Sequence, residues 1–295
     1  MGKILTAIVV IIIIILLVVV GVQIVPSHKI NIQYGFSIHG LSDYQANLIN
    51  NSGATWVRSD VGSATWTQIY NTAVNYHFKI LGILDYDSVP HNFTLQQWNQ
   101  TVTEDVTTYS SVTAWEIWNE PDLSYSWDGY LTSNPATYFN MVKAAYEIVH
   151  RYKPNELIIG FGGYNPPITE YELNWGNTLI SMGISHYTNA LSLHLYPFLA
   201  QNNTQVAINE YDAFISSLKA QTNEPLWVTE TGAIQSEQTA YIPEVFNMLL
   251  KLGITHIFWY DLIHNNNPYN TALLNNLQQP TAGYYAFQNF TEENR

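Results

Sequence analysis

The chain has 295 residues, no cysteine and a formal net charge of -13. Charged residues make up 11% of it, against about 25% in an ordinary globular protein, while 47% hydrophobic residues exclude a disordered chain. Phosphate binding needs a basic patch and none is present, so a nucleic-acid partner is excluded. Disulfides are impossible, and a surface poor in carboxylates gains little positive charge in acid, which fits an acidic setting.

In chain order the first element is apolar. Residues 4–22, "ILTAIVVIIIIILLVVVGV", carry one polar side chain, Thr6. At 1.5 Å per residue the run reaches about 28 Å, close to the ~30 Å hydrocarbon core of a bilayer. Its Ile/Val richness favours strand in water, but in lipid the backbone must satisfy itself and a helix wins. The run exceeds the apolar core of a secretory signal, and "GVQIVPS" lacks a small-x-small cleavage site. The expectation is a cytoplasmic tail at 1–3, a transmembrane anchor at 4–25 and a single domain at 26–295 on the outer side of a cell membrane. Lys3 favours that orientation, while Lys29 weakens the asymmetry. A cleaved signal peptide and a secreted domain is the alternative. Sequons at Asn50, Asn92, Asn99, Asn202 and Asn289 are about what this composition supplies by chance, roughly four, and carry no argument.

From residue 30 onward, short β-rich runs alternate with helix-periodic ones. The predicted strands are 31–40, 54–60, 79–87, 112–120, 157–164, 190–197, 226–232 and 254–262. Most are continuously apolar, as expected of strands covered on both faces. Between them, "PATYFNMVKAAYEIVHRYKP" sets Tyr138, Met141, Val142, Ala145 and Ile148 on one side and must stop before Pro154,. "TAYIPEVFNMLLKLG" ends in Gly253, a plausible helix terminator,. Eight strand–helix repeats in about 250 residues predict a (β/α)₈ barrel. A doubly wound open sheet is the rival, but the Gly-rich phosphate loop expected after its first strand is missing from "GFSIHGLS",.

In a barrel the C-terminal strand ends converge on one site. Here they carry His39, Arg58 with Asp60, Asp85 with Asp87, Asn119 with Glu120, Tyr164, His194 with Tyr196, Glu230, and Trp259 with Asp261. Carboxylates for chemistry, amide and imidazole donors for hydroxyls, and aromatic faces for sugar rings are what a carbohydrate site requires. Glycoside hydrolysis usually uses two carboxyl groups flanking the bond, about 5–5.5 Å apart when configuration is retained. Glu120, ending the fourth strand, and Glu230, ending the seventh, form such a pair.

"WNEP" at 118–121 and "WVTETG" at 227–232 resemble the acid/base and nucleophile motifs of the clan of retaining (β/α)₈ glycoside hydrolases that contains families 5 and 39. "SLHLYP", "IFWYDL" and "QPTAGYYAFQNF" are similar to its sixth strand, eighth strand and last helix, so the resemblance runs from about 31 to 291. It implies Glu120 as acid/base and Glu230 as nucleophile. Arg58 would lie close to the nucleophile, Tyr196 would donate to it, and Asn119 would bind the sugar 2-hydroxyl. Trp259 would form the floor under the reacting sugar, and His194 would orient Glu120, Tyr196 or a hydroxyl. His39 joins them as a substrate-binding candidate, and Trp118 and Trp127 as outer sugar platforms. The implied partner is an oligo- or polysaccharide, with no cofactor. No HExxH or other metal-spaced cluster, GxSxG elbow or P-loop occurs. Two other functions stay open on the same barrel: a non-catalytic glycan-binding or envelope protein, and an envelope transglycosidase.

Overall fold

The computed structural model describes residues 32–90, 92–123, 132–196, 203–264 and 270–294. Residues Asn31–Arg295 form one compact unit. The expected tail at 1–3 and the anchor or signal segment at 4–25 lie outside the described residues, as does Trp127. Among the described residues, no helix is long and apolar enough to cross a membrane.

Eight parallel strands close into a barrel in chain order. They are β1 (Gln33–Ser37), β2 (Trp56–Asp60), β3 (Lys79–Leu84), β4 (Ala114–Ile117), β5 (Leu157–Tyr164), β6 (Ala190–Leu195), β7 (Leu226–Thr231) and β8 (His256–Tyr260). The last strand returns to the first with Gly35 opposite Phe258 and Ser37 opposite Tyr260, which excludes the open doubly wound sheet. One α-helix follows each strand among the described residues: α1 (Asp43–Asn51), α2 (Trp66–Asn75), α3 (Leu95–Thr108), α4 (Pro135–Tyr152), α5 (Glu170–Ser181), α6 (Thr204–Lys219), α7 (Gln238–Lys251) and α8 (Ala282–Glu293).

Local chemistry explains the helix boundaries. Ser42 with Gln45, Thr94 with Gln97 and Thr169 with Glu172 form reciprocal capping boxes at α1, α3 and α5, each satisfying two backbone donors that the first turn leaves open. Asn134 caps α4 ahead of Pro135. Helix α4 buries Tyr138, Met141, Val142, Ala145, Ile148 and Val149 and ends at Tyr152, as its apolar spacing predicts. Past α7, Gly253 takes φ 76° and ends that helix region.

Strand side chains alternate between the barrel interior and the helix layer. Near the N-terminal ends of the strands, Trp56, Leu81, Ala114, Ile159, Trp227 and Phe258 form their own buried cluster inside the barrel. The plug is tight: a Cβ on Gly35 would lie 2.4 Å from the Phe258 ring, so β1 carries no side chain at that level. Outward-facing residues such as Val57, Ile80, Trp115, Ile158 and Trp259 belong instead to the main core shared with the helices. With one end filled, the polar side chains farther along the strands are gathered at the C-terminal mouth.

Candidate active site

On β2 the inward parity that puts Trp56 in the plug puts Arg58 one layer higher and Asp60 at the rim. Arg58 is 1% exposed, and its guanidinium is used completely. Nε donates to Glu116 Oε2 at 2.5 Å, Nη1 to Ser37 Oγ at 2.9 Å and to Glu230 Oε1 at 2.5 Å, and Nη2 to Asn119 Oδ1 at 2.9 Å. His194 Nε2 lies 3.3 Å from Nη2. Burial alone would discharge the guanidinium, but Glu116 and Glu230 outweigh it and hold the cation,. Glu116 is completely buried and accepts a second bond, from Thr229 Oγ1 at 2.9 Å.

Glu230 reaches the same cation because β7 is irregular. The register with β6 shifts between Leu193 and His194, and with β8 between Val228 and Thr231. Such an irregularity re-aims side chains, and the successive residues Thr229 and Glu230 both contact groups inside the barrel. Besides Arg58, the Glu230 carboxylate accepts from the Tyr196 hydroxyl and, at 3.5 Å, from Ser37 Oγ. Burial pushes its pKa up, but His194, Arg58 and the Tyr196 hydrogen bond together hold it below the ordinary carboxylate value.

Glu120 is presented by a turn rather than by the strand, since β4 ends at Ile117. Trp118 and Glu120 have φ 68° and 50°, left-handed conformations that non-glycine residues adopt only under constraint. The turn is pinned by Trp118 N donating to Leu84 O at 2.9 Å and Glu120 N donating to Gly162 O at 2.7 Å. Gly162 is required there: a Cβ would meet Ile117 O at 2.7 Å and Trp118 O at 2.8 Å. At Gly163, with φ 84°, a Cβ would fall 2.2 Å from His194 Nε2. The two glycines therefore let β5 close against both the turn and the imidazole.

His194 links the carboxylates. Its Nδ1 lies 3.0 Å from Glu120 Oε1 and 3.8 Å from Glu230 Oε2, which limits the separation of those two oxygens to about 7 Å, below most of the ~6.5–9.5 Å inverting range. Burial lowers the His194 pKa, but Glu230 and the Glu120 hydrogen bond raise it above the ordinary imidazole value. Asn165 Nδ2 also donates to Glu120, at 3.4 Å. Beside this contact Asp122 is fully buried and accepts from Asn165 N at 3.3 Å. Burial, reinforced by Glu120, pushes Asp122 up to about 8.

The opposite flank carries a second polar group. His39 Nδ1 lies 3.6 Å from Asp60 Oδ2, and Nε2 lies 3.2 Å from the Tyr260 hydroxyl. Against the effect of burial, His39 and Arg58 hold Asp60 below its ordinary pKa. Burial and the Asp60 charge drive Asp85 well up. Burial lifts Asp261 to about 7.

The mouth thus brings together Glu120, Glu230, Arg58, Asn119, His194, Tyr196 and His39. Three expected aromatics lie elsewhere. Trp259 is 0% exposed, packs on Tyr241 and Phe246, and donates to Thr271 O at 2.9 Å. It shares the outward parity of Ile257, so it cannot form a sugar floor. Tyr260, one residue on, shares the inward parity of Phe258 and stands edge-on to Tyr196 at 6.3 Å. Trp118 is buried against Phe93 and Trp98 and offers no outer platform. Tyr164 packs on Trp175 and donates to Glu172 O. Conversely, Glu116, Ser37, Thr229, Asn165 and Tyr260 belong to the mouth although the strand ends did not point to them. Glu116 had a visible signal, as a lone charge inside the apolar run "AWEIW". Among the described residues no group of three His, Asp or Glu side chains is placed to hold a metal ion.

Replacing Arg58 with Met leaves Glu116 and Glu230 buried without their cation, so folding stability should fall by about 3–5 kcal/mol; a urea titration showing less than about 1 kcal/mol would contradict the assigned partnership. The pH dependence has a definite sign. Asp122 at about 8, with Asp105, Glu156 and Asp261 at about 7, are raised acids. Their stabilisation is complete below the unfolded carboxylate pKa of about 4 and is lost as pH rises through those values. Glu230 and Asp60, being depressed, lose theirs only as pH falls below about 4,. The urea midpoint should therefore be higher at pH 5 than at pH 8; the reverse order would show that these acids are ionised in the native state.

No protein-family model and no curated protein matches the chain. Solved structures do. A glucosidase from Croceicoccus marinus is similar at 14% identity and a TM-score of 0.68, over 91% of this chain and 69% of that one. An endo-1,4-beta-D-mannanase from Thermotoga petrophila RKU-1 is similar at 13% identity and a TM-score of 0.66, over 89% and 99%. Xylanase 10B from Thermotoga maritima is similar at 14% identity and a TM-score of 0.63, over 90% and 97%. At these identities the likeness is one of fold, and it places the chain among (β/α)₈ barrels.

Proposed function

We propose that the protein is a retaining β-glycosidase, with Glu230 as nucleophile and Glu120 as general acid/base. The observation that carries this reading is the asymmetric carboxylate pair around His194. Glu230 is held ionised by Arg58 and by the Tyr196 and Ser37 hydroxyls. Glu120 has no contact with that guanidinium, and its side chain is 28% exposed against 12% for Glu230. One carboxyl group is thus fixed as an anion by the cation, and the other stands outside that pairing and is the more exposed to an incoming group. The barrel neighbours include enzymes named as a glucosidase, a mannanase and a xylanase, which agrees with glycoside chemistry on this scaffold.

In the first step a Glu230 oxygen attacks the anomeric carbon, the bond to the leaving oxygen breaks, and Glu120 gives that oxygen its proton. The product is a glycosyl ester on Glu230. Water then attacks the anomeric carbon, Glu120 takes its proton, and the Glu230 carboxylate departs. His194, next to both groups, steadies Glu120 in its two protonation states, while Arg58 stabilises Glu230 as it regains charge. Asn119, whose Oδ1 accepts from Arg58, is assigned to the sugar 2-hydroxyl.

On a β-linked aryl glycoside that the wild type cleaves, Glu230→Ala should lower turnover at least about 10⁴-fold, a loss comparable to removal of a nucleophile. Added azide should restore cleavage of an activated substrate and yield the α-glycosyl azide. Glu120→Ala with azide should yield the β-glycosyl azide. Exchange of these two outcomes would reverse the assigned roles.

A further inference from the structure

Resting on the glycosidase reading, we infer that the mouth accepts uncharged glycans and rejects those bearing uronic acid or sulfate groups. The argument begins with where the cations are. The sequence has ten Lys and Arg residues. Lys79 begins β3 at the plugged end, Lys143, Arg151 and Lys153 lie on or just after α4, and Lys219 and Lys251 end α6 and α7. Among the described residues only Arg58 approaches the mouth. The stretches 124–131, 197–202 and 265–269, which follow β4, β6 and β8 in sequence, contain neither Lys nor Arg, and position 91 is histidine.

The cations of the mouth already have carboxylate partners. Arg58 is divided between Glu116 and Glu230 and is buried. His194 is fully buried and set between Glu120 and Glu230. His39 faces Asp60 at 3.6 Å. His264, exposed after β8, is the other described histidine on a strand-to-helix connection. Further acids lie on the β3 and β8 side: Asp87, which is exposed, and Asp85 and Asp261, which are buried. Asp261 is 2% exposed and its Oδ1 has no hydrogen-bond partner, while its neighbours in the electrostatic field are His39 and Glu230.

A carboxylate or sulfate leaving water needs a cation or several aligned donors to replace its hydration. In this mouth the cations are already paired with Asp60, Glu116, Glu120 and Glu230, and no unpaired one is left to meet it among the described residues of the strand ends. A neutral ring meets the opposite situation. Its hydroxyls donate to carboxylates such as Asp60 and Asp87 and exchange hydrogen bonds with the exposed His39 imidazole and the Tyr260 hydroxyl. Arrays of this kind discriminate by leaving the wrong group unpaired.

The test uses matched β-1,4-linked oligomers: gluco- and manno-oligosaccharides beside oligomers of β-glucuronic and β-mannuronic acid, at pH 6 with the full chain. Cleavage of a neutral oligomer should exceed that of its uronic counterpart at least 100-fold in kcat/KM. Asp87→Lys, which supplies a cation at an exposed position, should raise the uronic-to-neutral ratio at least tenfold. Uronic cleavage within threefold of neutral would overturn the inference while leaving the glycosidase reading intact, and an unchanged ratio in Asp87→Lys would overturn the role of this acidic flank. If no oligomer is cleaved, calorimetry on the same panel separates the two ideas. Binding of neutral oligomers alone supports the charge selection and removes the hydrolase, whereas binding of the uronic ones, or of none, overturns the inference.

Discussion

One buried guanidinium organises the mouth of this barrel. Arg58 joins β1, β2, β4 and β7 through Ser37, Glu116 and Glu230, and it reaches the turn after β4 through Asn119. A cation this deep is tolerated only with close anions and filled donor positions. Glu116 supplies much of that compensation, which leaves Glu230 able to share the cation and still face the open side. The two carboxylates therefore have separate duties: Glu116 holds Arg58 in place, and Arg58 holds Glu230 as an anion. Thr229 and Glu230 both contact these groups because the β6–β7–β8 register shifts at that point.

A second constraint is close backbone approach. Glu120 takes a left-handed conformation, as does Trp118, and Gly162 and Gly163 let β5 lie against that turn and against His194. Strain of this sort persists where surrounding structure over-determines it. Here the surroundings are Leu84 O, Gly162 O and the imidazole wedged between the two carboxyl groups. The positioning of Glu120 thus depends on three neighbouring strands and on two positions where any side chain would collide.

Much of this was legible in the sequence. Strands covered on both faces leave continuous apolar runs, so the eight repeats and the barrel could be read from hydropathy and spacing. Polar residues interrupting those runs stood out, and Arg58, Asn119, Glu120, His194, Tyr196 and Glu230 are all of that kind. What was not legible is parity. An apolar strand buried on both sides gives no sign of which residues face inward, so Trp259 was expected where Tyr260 faces the mouth, and Trp118 and Tyr164 were expected at the site though both pack in the core. The register shift at Glu230 depends on neighbouring strands and has no local signature. Glu116 is hidden for a related reason: it lies within β4 and not at a strand end, and only the barrel interior brings it to Arg58.

The central claim is that an anion held by Arg58 attacks the sugar directly and that Glu120 then activates water on the opposite face, the one the leaving group has vacated. Proton NMR of the first-formed product from a cleaved β-linked oligosaccharide tests it most directly. The account requires the β-anomer to appear first and to mutarotate later to the equilibrium mixture. A first-formed α-anomer would mean that water attacks in a single displacement, and Glu230 could not then be the nucleophile.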